Sequence, residues 1–244
     1  MQRVNFHQPQ ALYDVAATRQ LEQRLQQVLP AHTLMSRAGL AVAKLALAIT
    51  PHAQRIWVAA GPGNNGGDGL EAAMHLKRWG KQPVVSWLGN PDQSPGDTNT
   101  SYLNAISAGV QFVDAVPENY DLCIDALLGI GLQVREPVGR MAHWIAHVNS
   151  RGTPVLAVDV PTGLQADTGV AGANHVKASH TLTFISGKPG LLTAEGPDHC
   201  GEIRVAPLDL TLGDEFPPDA RQINRQDFAV NLKKRAKNTH KGTF

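Results

Sequence analysis

Three short apolar runs of the sequence are each followed by side chains that carry oxygen. Asn65 and Asp68 follow the first run, Asp125 lies near the end of the second, and Asp159 and Thr162 follow the third. Carboxylate, amide and hydroxyl oxygens are the ligands of hard cations, whereas zinc prefers nitrogen and sulfur. A carboxyl group in such a turn can also act as a general acid or base. The set therefore predicts a hard-cation site, an acid–base site, or both.

The first of these turns is rich in glycine. It reads Gly61-Pro-Gly-Asn-Asn-Gly-Gly-Asp-Gly69 and contains the spacing Gly-x-Gly-x-x-Gly between a strand-like run and an amphipathic stretch. Such a loop can hold a phosphate with backbone N–H groups and a helix N-terminus; the alternative is a tight turn that needs glycine for its backbone alone. Asp68 departs from the usual dinucleotide fingerprint, because a carboxylate at a helix start repels a pyrophosphate. The loop therefore indicates polar recognition, not phosphate binding alone.

The later turns each leave two interpretations open. Asp125 lies inside an apolar run, so it is either a cation ligand or a structural cap of nearby N–H groups. Asp159 is either a catalytic group at a strand end or the first residue of a turn around Pro161. Lys188, which follows a fourth run, either meets a ligand or is an ordinary solvated loop lysine.

These side chains need a scaffold, and the rest of the sequence predicts an α/β domain. Strand-like runs alternate with amphipathic stretches, which is typical of right-handed βαβ units and a mostly parallel sheet. The predicted strands are 56–60, 83–88, 122–126, 154–158 and 181–185, with helices at about 68–79, 97–108 and 138–149 and a possible edge strand at 202–205. Two helices precede them, one with an apolar face of Leu21, Leu25, Val28 and Leu29, and one that starts after the N-cap Thr33. Because ligands bind at the carboxyl ends of parallel strands near the switch in strand order, the turns should converge.

Composition excludes several classes of function. The 244 residues carry 22 Lys and Arg against 21 Asp and Glu, whereas a dedicated nucleic-acid binder carries a clear basic excess. No apolar run approaches the roughly 18 residues of a membrane helix, and the first residues lack the apolar core of a signal peptide. Two cysteines, Cys123 and Cys200, cannot build a disulfide framework, so we expect reduced thiols in a cytoplasmic protein. The basic stretch 233–241 is interpreted as a solvated tail, with a nucleic-acid role as the weaker alternative.

Five segments of the chain, taken together, resemble the YjeF N-terminal domain family, the NAD(P)H-hydrate epimerases. They are Leu34-Met-Ser-Arg-Ala-Gly39, the loop 61–69, Asp125-Ala-Leu-Leu-Gly-Ile-Gly-Leu132, Asp159-Val-Pro-Thr-Gly-Leu164 with Ala166-Asp-Thr-Gly169, and Gly187-Lys-Pro-Gly-Leu191. The resemblance spans roughly residues 12–210, and the Asn-Asn-Gly-Gly-Asp-Gly run is its most specific part. It implies a Rossmann-like three-layer α/β/α sandwich with a mostly parallel sheet and an N-terminal helical pair.

The resemblance also implies how the chain is divided. Residues 1–215 are expected to form the epimerase domain. Residues 216–244 are expected to be a linker and the first residues of a truncated ADP- or ATP-dependent NAD(P)H-hydrate dehydratase domain, since the segment 234–244 is similar to the opening of that domain. The parent protein would then be a bifunctional repair enzyme, and ADP or ATP would serve only the missing domain.

The activity implied by the resemblance is interconversion of the R and S forms of hydrated NADH and NADPH (NADHX and NADPHX), a step in nicotinamide cofactor repair. It implies one potassium ion per subunit, held by Asn65, Asp125 and Thr162, with Asp159 as the candidate catalytic acid. The implied substrate contacts are Asn64, Asn65, Gly66, Gly67, Asp68, Gly129, Ile130, Gly131, Leu132, Gln133, Val134, Arg135 and Asp159. A homo-oligomer, dimeric or higher, is implied as well, with neither a nucleic-acid nor a membrane partner.

Three other functions stay open on the sequence. An NAD-dependent oxidoreductase would need a catalytic His, Lys or Tyr constellation and a second domain for its substrate, and the sequence indicates neither. A non-catalytic dinucleotide-binding module would use the same loops without chemistry. An enzyme of sugar nucleotides or phosphate sugars could use a similar sheet.

Overall fold

An eight-stranded sheet lies at the centre of the protein. The structure, a computed structural model, describes residues 1–5, 8–130, 136–210, 213 and 216–229. The strands are β1 (Gln2–Arg3), β2 (Gln10–Leu12), β3 (Arg55–Ala60), β4 (Gln82–Trp87), β5 (Gln111–Phe112), β6 (Leu122–Ala126), β7 (Val155–Val158), β8 (His180–Phe184), β9 (Glu202–Ala206) and β10 (Ala220–Gln222). The helices are α1 (Val15–Val28), α2 (Thr33–Ile49), α3 (Asn64–Arg78), α4 (Gly96–Ser107), α5 (Gly139–Ser150), α6 (Gly196–His199) and α7 (Arg225–Ala229).

The order of the strands reverses in the middle of the sheet. It runs β1-β9-β8-β7-β6-β3-β4-β5, and every neighbouring pair is parallel except β1 with β9. From β3 the chain moves outward through β4 and β5, returns to β6 on the other side of β3, and then moves outward again. The carboxyl ends of β3 and β6 therefore flank the switch point, where open α/β sheets bind their ligands.

Apolar side chains on both faces of the sheet hold the helices in place. Along β3, Ile56 and Val58 pack in a core cluster with side chains of α1 to α4, while Trp57 packs on the other face with Trp144 and Ile145 of α5. Strands covered on both faces have nearly continuous apolar sequences, which is the pattern of the predicted runs. The predicted α/β class with a mostly parallel sheet is confirmed.

Several boundaries differ from the predicted ones. Helix α3 begins at Asn64, because the Asn-Gly run is itself the first helical turn. The N-cap of α2 is His32, whose φ of 65° lies in the left-handed region, and not Thr33. The expected edge strand is covered, since β1 pairs antiparallel with β9. Val28, expected on the buried face of α1, is exposed.

A small second sheet joins the two ends of the described chain. Strand β10 pairs antiparallel with β2, the Tyr13 hydroxyl donates to the carbonyl of Phe216 at 2.7 Å, and the backbone N–H of Asp14 donates to Asp219 at 3.0 Å. Residues 216–222, expected to begin a linker, thus pack against the N-terminal strand. The domain boundary at 215 stays a prediction.

None of the helices that the structure describes is both long and apolar enough to cross a membrane.

Candidate active site

A cleft of about 480 Å³ opens at the switch point of the sheet. Its walls are the first turn of α3, the turn after β6, Asp159 after β7, and the buried side of α1, which contributes Glu22. Three neighbouring strands of the sheet, β7, β6 and β3, thus bring their carboxyl ends to one place, as parallel pairing requires.

The turns after β3 and β6 touch through their backbones. The N–H of Gly61 donates to the carbonyl of Ala126 at 2.9 Å, and the Trp87 indole donates to the carbonyl of Gly61 at 2.9 Å. A Cβ placed on Gly61 would lie 1.8 Å from the carbonyl oxygen of Leu127. Only glycine permits this approach, which sets the first turn of α3 against the turn after β6.

Asp125 and Thr162 form a buried pair between neighbouring strands. The Thr162 hydroxyl and N–H donate to the Asp125 carboxylate at 2.7 and 2.9 Å, and the N–H of Leu127 donates at 3.3 Å. Burial raises the pKa of Asp125 to about 6, although the hydrogen bonds from Thr162 and Leu127 act in the opposite direction. The protein thus only partly offsets this buried negative charge, so a bound cation would be stabilised here.

Asp159 sits in a strained turn directly after β7. Its φ is 69°, and the N–H of Val160 donates to the carbonyl of Val158 at 3.0 Å, so the residue is the centre of the rare γ-turn with positive φ. One carboxylate oxygen, Oδ2, accepts from the N–H of Ile130 at 3.0 Å. The other, Oδ1, lies 3.3 Å from the donating Thr183 hydroxyl and 3.4 Å from Lys188 Nζ. The turn therefore fixes the carboxylate as an acceptor of three donors.

Lys188 is fully buried, so its interpretation as a solvated loop lysine is wrong. Its ammonium group donates to the carbonyls of Phe184 at 2.7 Å and Ser186 at 3.2 Å, besides the ion pair with Asp159. These carbonyls flank Ile185, which has a φ of 67° and lies inside a second γ-turn, closed by Ser186 N–H to Phe184 at 2.6 Å. One lysine therefore joins two strained turns at the ends of β7 and β8.

Gly129 separates Asn65 from Asp159. A Cβ at Gly129 would lie 2.9 Å from both Asn65 Oδ1 and Asp159 Oδ2. The Asn65 Nδ2 atom is buried and has no hydrogen-bond partner in the described part of the protein. The two oxygens therefore face one small gap that only glycine leaves open.

Two further carboxyl groups line the cleft. Burial, together with the negative charges of Asp159, Glu22 and Glu71, raises the pKa of Asp68 well above its usual range. Burial and then Asp159 raise the pKa of Glu22 to about 6, against the lowering effect of Lys188 and Arg19. Our sequence prediction includes Asp68 but misses Glu22. Its position in the sequence could have indicated it. Glu22 follows the buried Thr18 by four residues, and residues four apart lie on the same face of a helix.

The other residues predicted for the site lie nearby or outside the described residues. Asn64 accepts from the Thr98 hydroxyl at 3.3 Å, and the first turn of α3 buries Gly66 and Gly67. The carbonyl of Ile130 accepts from Arg19 at 3.0 Å. The remaining five predicted contacts, Gly131, Leu132, Gln133, Val134 and Arg135, fall outside the described residues.

The polar set suits a hard, weakly charged cation. Asn65, Asp125 and Thr162 provide an amide, a carboxylate and a hydroxyl, all oxygen donors. Among the described residues, no group of three or more His, Cys, Asp and Glu side chains forms a candidate metal site. The buried Asp125–Thr162 pair supplies oxygen donors of the kind that hard cations prefer.

A second cleft of about 450 Å³ lies on the other side of the segment 128–130. It is lined mainly by the start of α1 and by residues 163–168. Leu128, Gly129 and Ile130 belong to the walls of both clefts, so an extended ligand can contact both.

Comparison with known proteins identifies relatives of the chain. It is 37% identical to the bifunctional NAD(P)H-hydrate repair enzyme Nnr of Coxiella burnetii, over 96% of this chain and 49% of that protein. The chain therefore spans about half the length of this curated relative. It is 39% identical to an NAD(P)H-hydrate epimerase of Limosilactobacillus fermentum, over 73% of this chain and 86% of the relative.

A crystal structure of the yeast protein ynu0 shares the fold, with a TM-score of 0.69 and 23% identity over 84% of this chain and 91% of the yeast chain. The family profile described as YjeF-related protein N-terminus matches residues 31–190, which contain the three turns built around Asn65, Asp125 and Asp159. The chain thus belongs to the YjeF-related N-terminal family.

Proposed function

We propose that the chain interconverts the R and S forms of hydrated NADH and NADPH. The main observation behind the proposal is the gap at Gly129, in the cleft at the switch point of the sheet. There the Asp159 carboxylate oxygen and the Asn65 amide oxygen each lie 2.9 Å from the position that a Cβ on Gly129 would occupy. The similarity to an NAD(P)H-hydrate epimerase, of which the chain covers 86%, supports the same substrate.

The reaction is an exchange of a hydroxyl group on one carbon and involves no redox step. In the hydrated ring, C6 carries a hydroxyl beside a ring nitrogen. When that oxygen is protonated, the C–O bond breaks, water leaves, and the nitrogen lone pair forms a planar iminium ion. Water then adds to the opposite face and loses a proton, which gives the other epimer. A protein speeds this reaction by placing proton donors and acceptors at the ring.

We assign the proton exchange at the reacting carbon to Asp159. Its carboxylate is fixed by Ile130, Thr183 and Lys188, so it reaches the ring in one orientation and exchanges a proton with the hydroxyl or with incoming water. Acid–base assistance of this kind contributes roughly 10²–10⁴ in rate.

The test is the rate of interconversion of Asp159→Asn, starting from one purified epimer of NADHX and separating the two by chromatography. Asn tolerates the left-handed backbone of this position, but the variant leaves the buried Lys188 without its ion pair, so its folding is checked by thermal unfolding. We expect at least a hundredfold loss, measured above the rate without protein, whereas Asp92→Asn on the exposed loop after β4 serves as the matched control with unchanged activity. Full activity of Asp159→Asn with substrate still bound would remove Asp159 from the mechanism.

We further propose that a potassium ion binds at Asn65, Asp125 and Thr162. When bound, the ion supplies positive charge that offsets Asp125 and holds together the turns after β3, β6 and β7. Replacing potassium chloride by tetramethylammonium chloride at equal ionic strength should lower the thermal unfolding midpoint, and Asp125→Asn should remove the difference. An unfolding midpoint that is the same in both salts would contradict the ion site.

The remaining proposals concern the whole protein. We propose that the parent protein also contains an ADP- or ATP-dependent NAD(P)H-hydrate dehydratase domain, since about half of the bifunctional relative lies beyond the matched part. A dimer or higher oligomer and a cytoplasmic location stay predictions, which light scattering and cell fractionation would test.

A further inference from the structure

We propose that Glu22 is a second catalytic residue, which donates the proton to the departing hydroxyl while Asp159 receives the proton of the incoming water. This role presupposes the proposed epimerisation. It divides the two proton transfers between two carboxyl groups that line the same cleft from different elements, α1 and the turn after β7.

Epimerisation requires a proton-transferring group on each face of the ring, and the contacts of Asp159 fix it on one side of the cleft. Its carboxylate accepts from the N–H of Ile130, lies within 3.3 Å of the Thr183 hydroxyl, and is ion-paired with the fully buried Lys188. These three donors hold the carboxylate in one orientation, so it can serve one face of a bound ring. The hydroxyl departs from the other face, which requires a second group that arrives protonated.

Glu22 has an environment that suits a donor. It lies on the buried side of α1 and lines the cleft, yet among the residues that the structure describes it forms no hydrogen bond or ion pair. A partly buried carboxyl group without a partner favours its neutral form, because burial penalises the charge. The charged groups that face it are Arg19 on its own helix, Asp68 on α3, and Asp159 and Lys188 on the turns after β7 and β8.

The acidity of Glu22 agrees with this arrangement. Burial and the Asp159 charge raise its pKa to about 6, so a substantial fraction is protonated at weakly acidic pH. Neighbouring carboxyl groups whose environments differ in this way are the usual basis for dividing acid and base roles.

The proton balance closes over one turnover. Glu22 gives its proton to the C6 hydroxyl, the C–O bond breaks with the electron pair staying on oxygen, and water leaves. Water then adds to the opposite face of the iminium ion and gives a proton to Asp159. In the reverse direction the roles exchange, with Asp159 as donor and Glu22 as acceptor, and between turnovers the proton equilibrates with solvent.

The test compares Glu22→Gln with wild-type protein in NADHX interconversion from pH 5 to 8. In wild type, kcat/KM should fall as the pH rises through about 6, because it reports the groups of the free enzyme. Glu22→Gln should lower kcat at least a hundredfold, keep KM within about threefold of the wild-type value, and no longer show the fall of kcat/KM near pH 6. Glu22→Asp should recover part of kcat. Glu118→Gln, a change on an exposed surface, is the matched control.

Each outcome has one meaning. An inactive wild-type protein would refute the proposed epimerisation itself, whereas active wild type with an active Glu22→Gln refutes only the donor role. A loss of kcat with an unchanged pH profile would also refute it, since Glu22 would then act through structure alone. If Glu22→Gln does not fold, the wild-type profile and the Glu22→Asp rate decide the question by the same criteria.

Discussion

Replacing Gly129 by Ala tests whether the gap between Asn65 and Asp159 sets the rate. The new Cβ would lie 2.9 Å from Asn65 Oδ1 and from Asp159 Oδ2, whereas ordinary contacts begin at 3.4 Å. Each oxygen must therefore withdraw by roughly half an ångström, and the 3.0 Å hydrogen bond from Ile130 to Asp159 must lengthen with it.

The effect on the rate follows from this displacement. A misplacement of about 1 Å near a reacting group costs on the order of a hundredfold in rate, so half of that distance should cost about tenfold in kcat/KM, or about 1.4 kcal/mol of transition-state stabilisation. The added methyl group should lower the free energy of unfolding by about 1–3 kcal/mol, as overpacking does.

The assay is NADHX interconversion together with thermal unfolding of the same samples. Gly152→Ala is the matched control, because no atom lies within 4 Å of the added Cβ. It should keep the wild-type rate and unfold at the same or a slightly higher temperature. If Gly129→Ala retains kcat/KM within twofold of wild type, the spacing of these two oxygens does not control catalysis, and the reasoning is wrong.

Three further predictions concern stability. Lys188→Met leaves the Asp159 charge buried without its partner and should lower the free energy of unfolding in urea by about 3–5 kcal/mol. The double variant Lys188→Met with Asp159→Asn should recover part of this loss. If the losses of the two single variants simply add in the double variant, the ion pair is contradicted. Gly61→Ala brings a Cβ to within 1.8 Å of a backbone oxygen and should lower stability by about 3 kcal/mol or more, so a wild-type unfolding temperature would contradict the close approach. Because the pKa of Glu22 is raised from 4.5 to about 6 on folding, its contribution is complete below pH 4.5 and is lost as the pH rises through 6. Wild type should therefore lose about 1–2 kcal/mol more than Glu22→Gln between these pH values, and parallel pH slopes would count against the shift.

The sheet and its main helices could be predicted from the sequence because their signals are local. Buried parallel strands need continuous apolar runs, and the helices between them need one apolar face. The convergence of the turns around Asp125 and Asp159 then follows from parallel pairing of β6 with β7. No local sequence pattern predicts that β1 pairs with β9, because β1 is only two residues long and its partner lies about two hundred positions away in the sequence.

The parts of the site that escaped prediction depend on the environment of single side chains. Lys188 follows a strand in a glycine-containing segment that suits a solvated loop, and its burial depends on the acceptors that Asp159, Phe184 and Ser186 present in three dimensions. Glu22 belongs to a helix whose exposed face is also polar and consists mostly of glutamine. Its role depends on the orientation of α1 about its own axis when the helix packs on the sheet. The apolar pattern of α1 defines that orientation poorly, as the wrong placement of Val28 on the buried face shows.

The two γ-turns limit how the thermal stability of this protein can be raised. A β-branched side chain at the φ of Ile185 stores strain of about 1–3 kcal/mol. Glycine at position 185 would relax the backbone, but it would also delete a side chain buried in the core, and that loss of about 2–5 kcal/mol or more outweighs the strain relieved. It would also loosen the carbonyl groups that hold Lys188, and with them the orientation of Asp159. Selection for heat resistance and selection for turnover should therefore both retain isoleucine at this position.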